Sequence, residues 1–479
     1  MLTLYTTRFW YYTYAKSQMK RKIFNPTRNE KKRMVVRAVA EFLQPYRSLY
    51  GYRHEFVTNA YRNLLPETEY ADPSLMHELQ LLRLKKILRI AETIPWWRDR
   101  LEGAGIQRES LTALSVLERL PPVSKQSFTN TSRAELLAPA FKDRERLVLF
   151  RTSGTTGAPF EWGGDRNTSF VESASYFHRI LVWHGISPKR DGRRPFIASF
   201  TGPTTAQPSV ACNWSPVETN ADQAFQNLLD QITTGRYRVL YIYPTNLLLF
   251  AKKLAESRQK LPFQLVVAGG QRLDDDSREY AEKVLGCPVV ATYGSTEVGQ
   301  IAIECPKLRH HYHVHAERLF LEITDEQGRR LPDGEEGLIT LTSLENRALP
   351  LLRYHIGDRG RIVPEKCPCG RTLPLLAFSG KQMDFIRFPS GKIAPFRQIN
   401  RFLLPLFFDE IEFYQIMQPT LGQLVIRVKL RHGDKQSFES RFSNELYKHI
   451  GTELSIIFEY PALWGAGSEG KMRMFVPLL

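Results

Sequence analysis

Apolar and polar positions follow two different periods along this chain. From Leu79 to Ile94 the apolar residues Leu79, Leu82, Ile87 and Ile90 recur at helical spacing, and Pro95 stops the pattern. Leu265-Val266-Val267-Ala268 is a short apolar run held between polar residues and Gly269-Gly270, as a buried strand would be. Helical residues from Asp274 to Val284 follow, and Pro288-Val289-Val290-Ala291-Thr292 then leads into Tyr293-Gly294. Strand, helix, strand in this order predicts a parallel sheet in an α/β domain.

The later pattern differs. Leu319–Thr324 and Leu338–Leu341 read as strands, with the turn-forming Pro332-Asp333-Gly334 between them. After Ser379-Gly380 come Asp384–Phe388, a Ser390-Gly391 turn, the alternating strand Leu424–Leu430, a helical stretch over Phe438–His449 and a strand at Ile456–Tyr460. Roughly a hundred residues of this kind predict a small α+β domain, with a boundary near Ser379. No internal repeat or low-complexity tract interrupts either part.

At 479 residues the chain is too long for one ordinary core. Hydrophobic residues at 42% and charged residues at 24% give the balance of a globular protein. No run reaches the roughly 18–20 apolar residues that span a bilayer, and no export signal opens the chain, so a cytoplasmic location is expected. Five cysteines fit reduced thiols or a metal site better than a disulfide framework. The net charge of +16 is concentrated at the start: residues 1–53 hold twelve Lys/Arg against Glu30 and Glu41. These sit among Phe9, Trp10, Tyr11, Tyr12 and Tyr14. Basic residues beside interfacial aromatics can hold a protein against the anionic inner face of a membrane; a solvated basic helix, or a cover for the first domain, is the plainer reading. No nucleic-acid-binding motif is present, so no nucleic-acid partner is expected.

The strongest chemical signal is Arg151-Thr152-Ser153-Gly154-Thr155-Thr156-Gly157-Ala158-Pro159. Its glycines permit tight backbone and its hydroxyls can donate to phosphate oxygens. It lacks the Gly-Lys-Ser/Thr of a Walker loop, and alone it would read as a surface loop.

Together with four further segments, this loop resembles the acyl-CoA synthetase, peptide-synthetase adenylation domain and luciferase superfamily of adenylate-forming enzymes. The segments are Tyr293-Gly294-Ser295-Thr296-Glu297, Arg353-Tyr354-His355-Ile356-Gly357-Asp358, Gly380-Lys381-Gln382-Met383-Asp384 and Ser468-Glu469-Gly470-Lys471. Ile94-Pro95-Trp96-Trp97-Arg98, Leu120-Pro121-Pro122-Val123-Ser124-Lys125, Leu349–Tyr354 and Cys367-Pro368-Cys369-Gly370-Arg371 narrow the likeness to the phenylacetate–CoA ligase and coenzyme F390 synthetase branch, capsule-cluster relatives included. The resemblance implies an α/β fold with a large multi-sheet N-terminal domain over 71–379 and a small mobile α+β lid over 380–479, behind a basic extension over 1–70.

It also implies chemistry: activation of a carboxylic acid by ATP as acyl-AMP, followed by transfer to CoA. Thr152, Ser153, Gly154, Thr155, Thr156 and Gly157 would hold phosphates. Gly270, Gln271, Tyr293, Gly294, Ser295 and Thr296 would contact the nucleotide, with Tyr293 at the adenine. Glu297 would hold magnesium and Asp358 the ribose hydroxyls, Lys381 of the hinge motif would also contact the nucleotide, and Lys471 would meet the reacting carboxylate and α-phosphate. Carboxylate attack on ATP brings anion to anion, so a site supplying positive charge and fixed geometry is what the reaction needs.

Cys305, Cys367 and Cys369 with one histidine would make a closed structural zinc site; the likeness points to His313, with His311 as second choice. Three buried thiols beside a solvated histidine cluster are the plainer alternative. Departures from the family pattern are Gln271 for Glu, Lys381 for Arg, which loses a planar bidentate contact, and Met383 for an acidic hinge residue. The two hinge changes, Lys381 and Met383, bear on the CoA step more than on adenylation. Phe200-Thr201-Gly202-Pro203 and Tyr241-Ile242-Tyr243-Pro244-Thr245 fall where the acyl site is expected, and their aromatics suit an aryl or other apolar acid. Two other readings stand beside the ligase: transfer to a sugar, amine or phenol in polysaccharide or cofactor biosynthesis, and an inactive scaffold that binds a membrane or partner through its basic N-terminus.

Overall fold

The computed structural model describes residues 65–108, 111–128, 131–142, 147–151, 161–165, 179–186, 197–199, 221–235, 237–381, 385–396, 403, 406–407, 410–461, 475–476 and 478. In chain order the principal elements begin with α1 (Pro73–Ala91), α2 (Pro95–Gly103), β1 (Leu147–Arg151), β2 (Glu161–Asp165), β3 (Ile197–Ser199), α3 (Ala221–Gly235), β4 (Val239–Ile242), α4 (Pro244–Ser257), β5 (Leu265–Ala268) and α5 (Asp275–Leu285). Seven strands follow: β6 (Val289–Ser295), β7 (Gly299–Cys305), β8 (Leu308–Val314), β9 (Leu319–Thr324), β10 (Gly337–Ser343), β11 (Tyr354–Val363) and β12 (Leu375–Lys381). The chain closes with β13 (Phe385–Arg387), β14 (Ile393–Pro395), β15 (Ile411–Thr420), β16 (Gln423–Leu430), α6 (Lys435–Ile450), β17 (Ser455–Glu459) and β18 (Phe475–Val476).

The central feature is a ten-stranded mixed sheet, ordered β3-β4-β5-β6-β7-β8-β12-β11-β10-β9. Strands β3 to β6 run parallel, and every pairing from β6 onward is antiparallel. The strand–helix–strand reading of 265–292 is therefore seen as β5-α5-β6. α5 starts because the Asp274 carboxylate accepts from Ser277 N at 2.8 Å, and ends at Gly286, whose φ of +67° suits a residue without Cβ.

Both faces of the parallel part are covered, which is why its strands read as continuous apolar runs. Leu240, Ile242, Val266, Ala268, Val289 and Ala291 pack with Leu247, Phe250, Leu254 of α4 and Ala281, Leu285 of α5. Their neighbours Val239, Leu265, Val267 and Val290 pack on the opposite face with Leu75 and Leu79 of α1 and with Ile180 and Trp183. α1 ends at Ala91, and Pro95 stands at the first position of α2, where a missing N–H costs no hydrogen bond. The proline therefore opens a helix as well as closing the apolar pattern before it.

A separate buried cluster begins at Ile386. It joins the four-stranded sheet β17-β16-β15-β18 to Phe438, Phe442, Leu446 and Ile450, one face of α6. At the other end, residues 65–69 form a helical turn whose Glu69 is buried between Arg179 and Arg371, at 3.0 and 3.2 Å. No helix among the described residues is long and apolar enough to cross a membrane.

Candidate active site and metal cluster

The two motifs read as nucleotide-binding meet at the junction of the parallel and antiparallel halves of the sheet. Tyr293 lies on β6 and Asp358 on β11, four strands away in the order β6-β7-β8-β12-β11. The Tyr293 hydroxyl nevertheless donates to Asp358 Oδ2 at 2.8 Å, over the intervening β12, whose Phe378 ring sits 4.8 Å from that of Tyr293. In return Tyr354, from the second motif, donates its hydroxyl to Glu297 Oε1 of the first at 3.3 Å. Burial, reinforced by the Asp358 charge, pushes the Tyr293 phenol well above its ordinary value. Burial and then Glu297 do the same for Tyr354. Both phenols stay protonated near neutral pH and hold the two carboxylates in fixed orientations.

Backbone geometry sharpens this junction. Ser295 and Gly299 pair across the turn from β6 to β7, and Ser295 Oγ accepts from Val298 N at 3.2 Å, so Thr296 and Glu297 stand at a turn tip. A Cβ on Gly294 would lie 2.7 Å from Gly299 O, so only glycine fits there. Gly270 is exposed with φ +75°, beside half-buried Gln271; Arg272 then ties the segment to β12 by donating to Ser379 O at 3.1 Å. Lys381 is the register partner of Asp358 across β11 and β12. Thr152, Ser153, Gly154, Thr155, Thr156, Gly157 and Lys471, together with Phe200–Pro203 and Met383, lie outside the described residues. The strands flanking the first of these segments are paired, with Arg151 opposite Glu161.

Arg353, quoted above only as part of a motif, proves to be an anchor. It is fully buried with φ +46°, and its guanidinium donates to Leu120 O (2.8 Å), Glu118 O (3.1 Å), Gly328 O (2.7 Å) and Glu322 Oε2 (3.3 Å). Three separate segments are thus fastened to the residue just before Tyr354. Tyr354, which meets Glu297, and the polar side chain of Gln300 are two further positions that the sequence did not single out. A tyrosine in a motif gives no sign of which carboxylate it will meet.

The second constellation is compact. One ligand atom from each of Cys305, His313, Cys367 and Cys369 falls within a group no more than 4.8 Å across. Sγ of Cys305 and Cys367 are 3.4 Å apart, and His313 Nε2 is 3.1 Å from Cys369 Sγ. Tetrahedral zinc with sulfur at about 2.3 Å places its ligands roughly 3.5–3.8 Å from one another, so shifts of about 1 Å or less would close this set onto such an ion. Each thiol also accepts a backbone N–H from two residues on: Lys307 to Cys305 (3.4 Å), Cys369 to Cys367, and Arg371 to Cys369. Burial holds the His313 imidazole down at about 4, hence neutral, with Nδ1 directed at Leu373 O (3.3 Å) and Nε2 at the thiols. His311, the second choice, is outside the group: its Nδ1 meets Arg309 O at 2.8 Å. The cluster forms because β12 pairs with β8, bringing Leu375 opposite His313.

No family model matches the chain. Phenylacetate–coenzyme A ligase of Thermus thermophilus is 25% identical over 402 residues, covering 81% of this chain and 86% of the relative. The enzyme of the same name from Pseudomonas putida is 26% identical over 418 residues, covering 83% and 93%. Among solved structures, a 2-hydroxyisobutyryl-CoA ligase in the postadenylation state with its acyl-AMP superposes with a TM-score of 0.68 at 18% identity, covering 86% of this chain and 91% of that one. That likeness bears on the fold alone.

Proposed function

We propose, from a likeness of 25% and 26% identity to two phenylacetate–CoA ligases over 81% and 83% of the chain, that this protein is an adenylate-forming ligase that activates a carboxylic acid with ATP as acyl-AMP and transfers the acyl group to CoA. The observation that carries the reading is the crossed pair of tyrosine–carboxylate contacts, Tyr293 to Asp358 and Tyr354 to Glu297. It makes one preorganised unit of the two motifs that the chemistry needs together.

In this reading Asp358, oriented by Tyr293, accepts the ribose hydroxyls. The 152–157 loop donates to the phosphates, and the carboxylate of the acid attacks the α-phosphorus while pyrophosphate leaves. Lys471 meets the negative charge that grows on the carboxylate and α-phosphate oxygens. Fixed donors and charges of this kind need no reorganisation as the bond forms, which is where their rate advantage lies. A carboxylate standing at a turn tip beside phosphate oxygens is the donor set magnesium takes, so Glu297 would hold that ion, which would neutralise phosphate charge. Cys305, His313, Cys367 and Cys369 would hold zinc as a closed structural site, joining β7, β8 and the 367–373 loop. Residues 380–479 would act as the lid and 71–379 as the body, with residues 1–53 available for peripheral contact with the inner face of a membrane.

ATP–pyrophosphate exchange with pooled carboxylic acids, run beside Lys471→Ala, tests the first step. Exchange that needs one acid and collapses in the variant supports it; no exchange with any pool and no ATP binding by calorimetry would refute it. Lys381 and Met383 at the hinge keep a second acceptor open, such as a sugar, amine or phenol. Equal AMP and acyl-CoA formation would favour CoA, and AMP without thioester would favour the other.

A further inference from the structure

Consecutive strand residues send their side chains to opposite faces, and the end of β6 uses both. Tyr293 faces Phe378 and Asp358. Thr292 faces the other way, where its Oγ1 donates to Ala268 O at 3.4 Å. The hydroxyl of Tyr241, from β4, hydrogen-bonds there with both Thr292 and Gln300 of β7. The group closes over Gly269: a Cβ built on that residue would lie 2.6 Å from both Thr292 Oγ1 and the Tyr241 hydroxyl oxygen. A Cβ on Gly294 would stand 3.0 Å from Gln300 Oε1.

Deeper in the sheet on this face the side chains are apolar: Val239, Val267, Val290 and Ile303. Polar atoms therefore gather in one row, at the C-terminal edge of β4, β5 and β6, beside the switch from parallel to antiparallel pairing. That edge is where open α/β sheets receive ligands.

We propose that Tyr241, Thr292 and Gln300 form the recognition end of the acyl site, and that the acid activated by this chain carries a hydroxyl or amino group remote from its carboxylate. The inference rests on the ligase reading above. With Tyr293 at the adenine, as that reading has it, an acyl adenylate crossing the end of β6 would have its adenosine on the Tyr293 side and its acyl group on the Thr292 side. A substrate hydroxyl can accept from a tyrosine hydroxyl and donate to an amide oxygen at once. A bare hydrocarbon does neither and is pressed against three polar groups. The aromatic character of Tyr241 suited an apolar acid in the sequence; its hydroxyl, seen in place, points to a polar one.

The effect is a selectivity. Sites that hydrogen-bond a substrate hydroxyl reject the analogue lacking it by up to about 10⁴–10⁵, whereas a missing methylene costs roughly 10–200-fold. The experiment is pyrophosphate exchange by the full-length protein with matched acids: phenylacetate against 4-hydroxyphenylacetate, benzoate against 4-hydroxybenzoate, hexanoate against 6-hydroxyhexanoate. In at least one pair the hydroxylated acid exceeds its partner by at least about tenfold in kcat/KM. Tyr241→Phe and Thr292→Val bring that ratio close to one and leave KM for ATP unchanged. If the apolar acid wins every pair, or the variants slow both members alike, the row is only a tie within the sheet and the proposal fails while the ligase reading stands. Exchange with no acid at all would overturn both.

Discussion

The Tyr293 hydroxyl donates to Asp358 at 2.8 Å although 65 residues separate the two in sequence. Tyr354 and Glu297 return the contact in the opposite sense. Each motif therefore supplies one phenol and one carboxylate, and each carboxylate accepts from the phenol of the other motif. An error in the pairing of β11 with β12 would disturb both contacts together.

Tyr293→Phe removes the donor and leaves the ring on Phe378. A hydrogen bond to a charged acceptor is worth about 1.5–3 kcal/mol, so KM for ATP is expected to rise roughly tenfold or more. If Asp358 serves the ribose, the penalty for replacing ATP by 2′-deoxy- or 3′-deoxy-ATP shrinks in the variant. An unchanged penalty would separate Tyr293 from ribose binding.

Tyr354→Phe acts on Glu297 instead. The expected change is a higher magnesium requirement: the concentration giving half-maximal pyrophosphate exchange rises severalfold, while discrimination against deoxy-ATP stays as in the parent. Titrating magnesium at saturating ATP reads this directly.

How far the sequence could be read depended on how local the signal was. β5-α5-β6 was legible because a doubly covered parallel strand is an apolar run and Asp274 and Gly286 bracket the helix. The order of the sheet was not, since nothing near Leu375 announces that β12 inserts between β8 and β11. That insertion is what unites His313 with Cys367 and Cys369; the likeness already placed His313 ahead of His311, but the spacing of the two histidines gave no physical reason for it. Pro95 misled in part because proline closes one helix and opens another with equal ease. Tyr241 was visible as an aromatic residue, but the direction of its hydroxyl was not.

The purified protein is expected to carry about one equivalent of zinc. His313→Ala and Cys367→Ser lose it and melt lower by roughly 5–10 °C, while His311→Ala keeps both zinc and melting temperature. Atomic absorption with thermal melts checks all three. Equal loss in His311→Ala would contradict the ligand set.

Acid should weaken the fold. Burial lowers the His184 and His355 imidazoles below the 6.5 of an unfolded chain. Between the folded and unfolded values the unfolded chain binds more protons, so stability is full above about pH 6.5 and falls as pH drops below it. Urea midpoints at pH 8, 7, 6 and 5 should be level over the first two and decline after. His355→Gln, which keeps a partner for Thr324, should make the decline shallower.

Arg353 offers the sharpest link between stability and site. Its guanidinium is the shared donor for the 118–120 segment, Gly328 and Glu322, all at the cost of a left-handed backbone at φ +46°. Arg353→Ala leaves Glu322 as an uncompensated buried charge and should destabilise by about 3–5 kcal/mol. The double variant Arg353→Met with Glu322→Met removes both charges and should recover much of that loss. Activity should not recover with it, because Tyr354 and Asp358 follow directly along the strand and depend on where Arg353 fixes the chain. Urea unfolding and KM for ATP, measured on the same three proteins, separate the two effects. Restored stability with restored KM would mean that Arg353 only supports the fold; restored stability with a raised KM would show that it also sets the nucleotide site.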